Sequence, residues 1–239
     1  MNRMKRSTED LRSPFAGGAP SARVAFGRRG LRARGALVAA IGLCLVGCGE
    51  SGESEESEDE RILREYLTDH PEVQDNHQHW HVDTDRGRPD YGEAFLTFHR
   101  DVVGKHDAWR LEHGYPAVAP WDPSEPIPGG AYHHGRSTSD PSAVDPLCRT
   151  PDWLQLDGHG VRNPDFGAGR LIDFTSSDQL GRAIDSLQEP YWHSRVHATV
   201  GGDLASLHRF PLDPAFWRFH KFIDGIWRQW QSATGTSAP

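Results

Sequence analysis

Two histidine pairs with members four residues apart, His77/His81 and His193/His197, each stand ahead of a helical segment whose apolar stripe carries one more histidine. On a helix, positions i and i+4 share a face, so each pair can grip a single ion. The third histidines are His99, within GEAFLTFHRDVVGKHDAWRLEH (92–113), and His220, within DPAFWRFHKFID (213–224). His99 shares a face with Phe95, Val102, His106 and Trp109, and His220 shares one with Phe216, Ile223 and Trp227. Stripes of this kind pack inward, so both imidazoles are expected in the core. A buried imidazole needs a partner for each nitrogen. A metal satisfies one, and a carboxylate or backbone carbonyl usually takes the other. Asp224, one turn past His220, is placed for that second role, with Arg195 and Lys221 as competing partners for its carboxylate. The expected fold is mainly α: a four-helix bundle core housing a dinuclear metal site, with long irregular loops. Neutral imidazole suits copper, zinc, iron or nickel, so ligand type leaves the metal open.

The remaining histidines carry weaker signals. His79 is expected on the opposite face of its helix from His77 and His81. His106 belongs in the core or at its rim. His70, His113, His133, His134, His159 and His208 read as loop or surface residues.

Residues 1–47 hold nine Lys and Arg against two acids and end in the apolar run ALVAAIGLCLVG. That run is short for a membrane span and reads as a signal peptide. LVGC resembles a bacterial lipobox, so Cys48 is expected to be lipidated and to open the mature chain. A lipid anchor in a bacterial cell envelope follows, on the periplasmic or outer-membrane surface; the competing reading is an uncleaved anchor helix. Residues 48–60 are acidic, Ser/Gly-rich and expected to form a disordered tether. Residues 61–239 are the length of one domain. Beyond residue 47 there are 17 basic and 32 acidic residues, a net charge of −15. With no basic stripe or nucleic-acid motif, a nucleic-acid partner is not expected. Once Cys44 leaves with the leader and Cys48 is acylated, Cys148 has no partner for a disulfide.

Residues 58–69 predict an amphipathic helix with Ile62, Leu63, Tyr66 and Leu67 on one side. Residues 114–168 are Gly/Pro-rich without a sustained period, and too long for an ordinary connection; they read as an Ω-type loop or a shell over a site. Helical pattern returns over 176–200, with Leu180, Ile184 and Leu187 leading into YWHSRVHATV. Asp213 is an N-cap candidate with Pro214 at the first helical position of a helix running to about Gln231.

DPAFWRFHKFID meets the second-copper pattern of tyrosinases in full, and RFHKFIDGIW is similar to the same segment of hemocyanins. HSRVHATVGG resembles the paired-histidine segment that precedes it, FLTFHR (95–100) resembles the third-ligand segment of the first copper, and APWD (119–122) loosely resembles a PYWD-type stretch. The chain thus resembles the type-3 dicopper proteins: tyrosinases, catechol oxidases, hemocyanins and phenoloxidases. The resemblance implies two copper ions, dioxygen and a small phenolic substrate, with o-diphenols oxidised to o-quinones. It implies ligands His77, His81 and His99 for one copper, and His193, His197 and His220 for the other. In the tyrosinase alignment the second ligand of the first site falls on Asp90; HQHWH (77–81) is closer to the arthropod hemocyanin segment and favours His81. Ser194 stands where tyrosinases often carry Asn, which weakens the expectation of monophenol activity. Asp185, Glu189 and Asp203 are candidates for a general base. Phe98, Phe216 and Trp217 read as core walls that also offer a surface for ring stacking. The competing readings are a non-catalytic copper- or oxygen-binding protein and a degenerate single-copper member.

Overall fold

A computed structural model of the chain describes residues 56–128, 144–188 and 191–236. The leader 1–47, Cys48, most of the acidic tether, His133, His134 and Glu189 lie outside the described residues. The described residues contain six α-helices and no strand: α1 (Glu58–Asp69), α2 (Val73–Asp83), α3 (Tyr91–Glu112), α4 (Ser177–Ile184), α5 (Trp192–Val200) and α6 (Pro214–Thr234). Single-turn 3₁₀ segments punctuate the stretches between them. None of these helices is long and apolar enough to cross a membrane.

Helix α1 begins inside the stretch expected to be tether. Ser57 accepts from the Glu60 amide, and the Glu60 carboxylate accepts from the Ser57 amide at 2.6 Å, closing a capping box. Three acids in the first turn sit at the positive end of the helix dipole. Residues 58–60 therefore fold, and the domain starts near Ser57 rather than at 61. Ile62, Leu63 and Tyr66 are buried as the stripe requires.

Helix α6 starts as its sequence dictates. Asp213 is fully buried, its Oδ1 accepts from the Ala215 amide at 2.8 Å, and Pro214 supplies a preset φ where no amide hydrogen is needed. Gly235, at φ 69°, ends the helix in the left-handed conformation. Its inner face buries Phe216, Trp217, Phe219, Ile223, Ile226, Trp227 and Trp230. Each such side chain contributes roughly 1.5–3 kcal/mol of burial, so α6 is the spine of the core.

The 176–200 stretch is two helices, not one. The apolar spacing runs on through Leu187, but α4 stops at Ile184 and Leu187 is 63% exposed. Asp185 caps α4, with its carboxylate drawn inward by Tyr91 and His193, and Ser186 Oγ accepts from the Gln188 amide to turn the chain. Helices α3 and α4 cross at two glycines. A Cβ on Gly181 would lie 2.0 Å from the Gly92 carbonyl oxygen, and one on Gly92 would lie 2.0 Å from the Asp178 carbonyl oxygen. Only hydrogen fits at either position, and the close approach lays the start of α3 along α4 from Asp178 to Arg182.

The described part of the 114–168 region is a shell. Val118, Trp121, Trp153 and Leu154 are buried. The Trp121 amide donates to the Arg218 carbonyl at 3.1 Å, and Trp192 Nε1 donates to the Cys148 carbonyl at 2.9 Å, fastening the shell to α6 and α5.

Candidate metal centre

Helices α2, α3, α5 and α6 bring six imidazoles into one enclosed space. His77, His81 and His99 form one triad and His193, His197 and His220 the other; within each, the ligand-type nitrogens all lie within 4.8 Å of one another. Five of the six side chains are buried, and His81 is half-buried. The triads touch. His99 stacks on His220 with ring centroids 4.6 Å apart and planes 16° apart, and His99 lies 6.2 Å from His193.

Each ring of the second triad is held from behind. His193 Nδ1 donates to Asp185 Oδ1 at 3.0 Å, His197 Nδ1 to the Leu204 carbonyl at 3.2 Å, and His220 Nδ1 to the Phe216 carbonyl at 2.8 Å. Carboxylate and carbonyl oxygens only accept, so these contacts place the hydrogen on Nδ1 in all three rings. The Nε2 atoms then point at one another: His193 lies 3.1 Å from both His220 and His197. Burial first, and neighbouring imidazoles second, hold His197 and His220 well below the usual imidazole range, so both are neutral with a bare Nε2. At most one hydrogen can lie among the three nitrogens. Lone pairs converging at this distance repel, and a cation at their focus satisfies all three.

The first triad has the same character. His99 Nδ1 donates to the Phe95 carbonyl at 2.8 Å, leaving Nε2 buried without a partner. His81 Nε2 and both His77 nitrogens also lack a partner of hydrogen-bonding geometry. Burial draws His77 down to about 3, with the Leu207 carbonyl opposing the shift. Burial likewise lowers His81 and His99, with neighbouring imidazoles adding to the effect. Neutral, deprotonated acceptors orphaned in a core are the donor set that a soft-to-borderline metal ion takes. The residues therefore fit two ions, one per triad.

The walls are aromatic. Phe210 is half-buried, stacks on His197 at 4.1 Å and lies 5.7 Å from His77, so it bridges the two triads. Phe216 packs on His220 at 4.2 Å and His77 at 5.0 Å, and Phe219 stacks on His193 at 5.7 Å. Phe216 and Trp217 are fully enclosed core residues. Phe98 is half-buried and stacks on Trp80 at 4.8 Å.

Several sequence expectations are redirected by these contacts. Asp224 does not orient His220. Its carboxylate accepts from Arg100 at 2.6 Å and Arg228 at 2.7 Å, while His220 Nδ1 uses the Phe216 carbonyl in its own helix. The reason is charge: a buried carboxylate is better matched by a guanidinium than by a neutral ring. Asp185, a candidate base, is fully engaged as the carboxylate behind His193. Asp203 pairs with Arg209 at 2.7 Å. Asp90 pairs with Arg88 at 2.6 Å with its side chain 58% exposed, away from either triad. His79 is exposed and bonds Asp83, and His106 is buried against Trp217 at 4.3 Å. Cys148 is buried, with its sulfur near the Arg195 carbonyl on α5. Sequence reasoning passed over Tyr91, Arg86 and Phe210. The first two act at long range, and Phe210 sits in a turn-rich link without period.

Residues 130–233 match the family model for the common central domain of tyrosinase. That match covers the second triad; the first triad precedes it. A tyrosinase of Streptomyces antibioticus is 49% identical over 57 residues, which are 24% of this chain and 20% of that protein. A tyrosinase of Streptomyces lincolnensis is 38% identical over 64 residues, 27% of this chain and 23% of that protein. The G-type hemocyanin of Enteroctopus dofleini, units Oda to Odg, is 41% identical over 164 residues, 58% of this chain and 6% of that protein. The chain thus spans about a fifth of the length of the tyrosinases it matches. No solved structure gives a significant match. With two facing imidazole triads, one of them inside the tyrosinase domain match, the chain is similar to the type-3 dicopper proteins, and these findings support a place in that family.

Proposed function

We propose that the chain is a copper-dependent oxidase of phenols and catechols that converts o-diphenols to o-quinones with dioxygen. The observation that carries this reading is the convergence of three Nε2 atoms at 3.1 Å in the second triad, with the first triad in ring contact across it. Copper bound by the two triads supplies electron transfer between the phenolic ring and dioxygen. In balance, two catechols each give up two electrons and two protons, and one dioxygen becomes two waters. The protein's own part is positional. Asp185, the Leu204 carbonyl and the Phe216 carbonyl fix the second triad's rings, and the Phe95 carbonyl fixes His99. Phe216 and Phe219, both enclosed, exclude water from behind the second triad, and half-buried Phe210 offers aromatic surface to an incoming ring. Asp185 serves as an orienting carboxylate instead of a free base.

The test is copper-loaded protein with metal content measured, followed by quinone formation from catechols and aminophenols. Two coppers per chain with every such substrate unchanged would refute the oxidase. The enclosure of five imidazoles and the Phe210 cover favour a second reading, a non-catalytic copper- or oxygen-binding protein; reversible oxygen binding without turnover would establish it. The lipid anchor at Cys48 is part of the same proposal, which places the protein at a bacterial envelope surface. Incorporation of labelled palmitate that persists in Cys48→Ser would refute that part.

A further inference from the structure

Tyr91 opens α3, eight residues ahead of His99, so the sequence assigns it to the first triad's helix. Its chemistry goes elsewhere. The Tyr91 hydroxyl donates to Asp185 Oδ2 at 2.5 Å, in a buried contact. Asp185 Oδ1 in turn accepts from His193 Nδ1. Arg86, from the connection between α2 and α3, reaches the same carboxylate at 2.9 Å and the Asp185 carbonyl at 3.0 Å. Burial first, and the Asp185 charge second, raise the Tyr91 pKa far above its ordinary value, so Tyr91 stays an O–H donor.

The clamp is built from below. Arg182 on α4 donates to the Arg86 carbonyl at 3.0 Å and to the Arg88 carbonyl, and pairs with Asp178 at 2.9 Å. The guanidiniums of Arg86 and Arg182 lie 5.3 and 5.7 Å from the Tyr91 ring centroid. The Gly92 amide donates to Asp178 Oδ1 at 2.8 Å, and the glycine crossing next to Tyr91 leaves no space for slippage. A carboxylate behind a metal-binding imidazole fixes ring orientation and ligand basicity, and its loss typically costs 10–100-fold in metal affinity.

We propose that Tyr91 and Arg86 are positioning residues for the second triad: acting through Asp185, they fix the His193 ring and set how tightly that triad holds its metal. The two halves of the centre are thereby coupled, because the segment joining the first triad's helices disciplines a ligand of the second. This rests on the metal reading of the triads.

Two single-triad backgrounds test it. His99→Ala leaves the second triad and His220→Ala leaves the first. Copper(I) affinity is measured in each by competition with a chromophoric chelator. Adding Tyr91→Phe is expected to weaken the second triad about tenfold, at the low end of the range for a partner behind a ligand, and to leave the first within about twofold. Asp185→Asn is the larger reference effect on the same site. Equal loss at both triads would show only a loosened α3 and would overturn the proposal, as would no change at the second. A metal-free measurement runs beside it: the His193 Nδ1–H resonance, which should shift in Tyr91→Phe. An unchanged resonance overturns the clamp whether or not the truncated triads fold. Failure of wild-type protein to hold copper would instead sink the proposed function, leaving the resonance to decide the clamp.

Discussion

His77→Leu should stabilise the metal-free protein and destabilise the metal-loaded one. His77 is 1% exposed, and its Nε2 has no hydrogen-bond partner. Neither ring nitrogen has a partner of hydrogen-bonding geometry, and with the Leu207 carbonyl close to the ring only one buried group counts as unmet. Such a group costs about 1–3 kcal/mol. Leucine removes that cost but loses an edge contact to Phe216 at 5.0 Å and a tilted one to Phe210 at 5.7 Å. An aromatic pair is worth roughly 0.5–1.5 kcal/mol beyond its area. At the low end of that range for each of the two contacts the loss is about 1 kcal/mol, against about 2 kcal/mol at mid-range for the unmet acceptor, so the net gain is about 1 kcal/mol, or roughly 2–4 °C in Tm for a domain of this size. With metal present the sign reverses, because wild type gains about 2.7 kcal/mol at free metal a hundred times Kd and the variant has lost a ligand. Thermal melts in chelator and in saturating copper measure both arms. A His77→Leu protein that melts lower than wild type in chelator would refute the view that these imidazoles are held in the core at a cost to stability.

Other outcomes follow from single contacts. His106 is buried with both nitrogens unpartnered, and burial holds it down to about 3. The unfolded chain takes up that proton near pH 6.5 and the folded one does not, so stability falls as pH drops from 6.5 toward 3. His106→Leu should flatten the metal-free slope by up to one proton, about 1.4 kcal/mol per pH unit; urea midpoints at pH 7 and pH 5 that move in parallel would contradict this. Gly181→Ala forces a methyl into a 2.0 Å gap against the Gly92 carbonyl and should cost about 1–3 kcal/mol or more by thermal melt. Asp224→Ala removes the carboxylate paired with the Arg100 guanidinium, which is 17% exposed and keeps Gln231 and the Trp227 ring, and should destabilise by about 3 kcal/mol. The His220 Nδ1–H resonance should stay in place, because its acceptor is the Phe216 carbonyl; a large shift would restore Asp224 to the role its spacing suggests.

What the chain reveals in one dimension is what has a period or a local partner. The Asp213-Pro214 start and the two H-x3-H pairs are short-range features, and each has its counterpart in the structure; the Ser57/Glu60 box is equally local but lies in the stretch whose acidic composition reads as tether. The apolar stripe of α3 correctly carries His99 and His106 inward. The apolar spacing of α4 misleads: it runs on to Leu187, although Asp185 has left the helix to serve residues 94 positions before and 8 after it. Asp224 fails in the same way, since i+4 spacing points to His220 while Arg100, 124 residues away, offers the stronger partner. Carbonyl partners such as Leu204 and Phe216 carry no side-chain signal at all. The supports of the centre were therefore harder to read than its imidazoles.

Asp59, one residue into α1, holds Arg110 of α3 at 3.6 Å and bonds Arg218 of α6. Arg218 stands two residues before His220. The first turn of α1 is thus tied to α3 and α6 through one carboxylate. A load on the start of α1 would therefore be felt within one turn of an imidazole at the centre, making α1 a mechanical stop as well as a first helix.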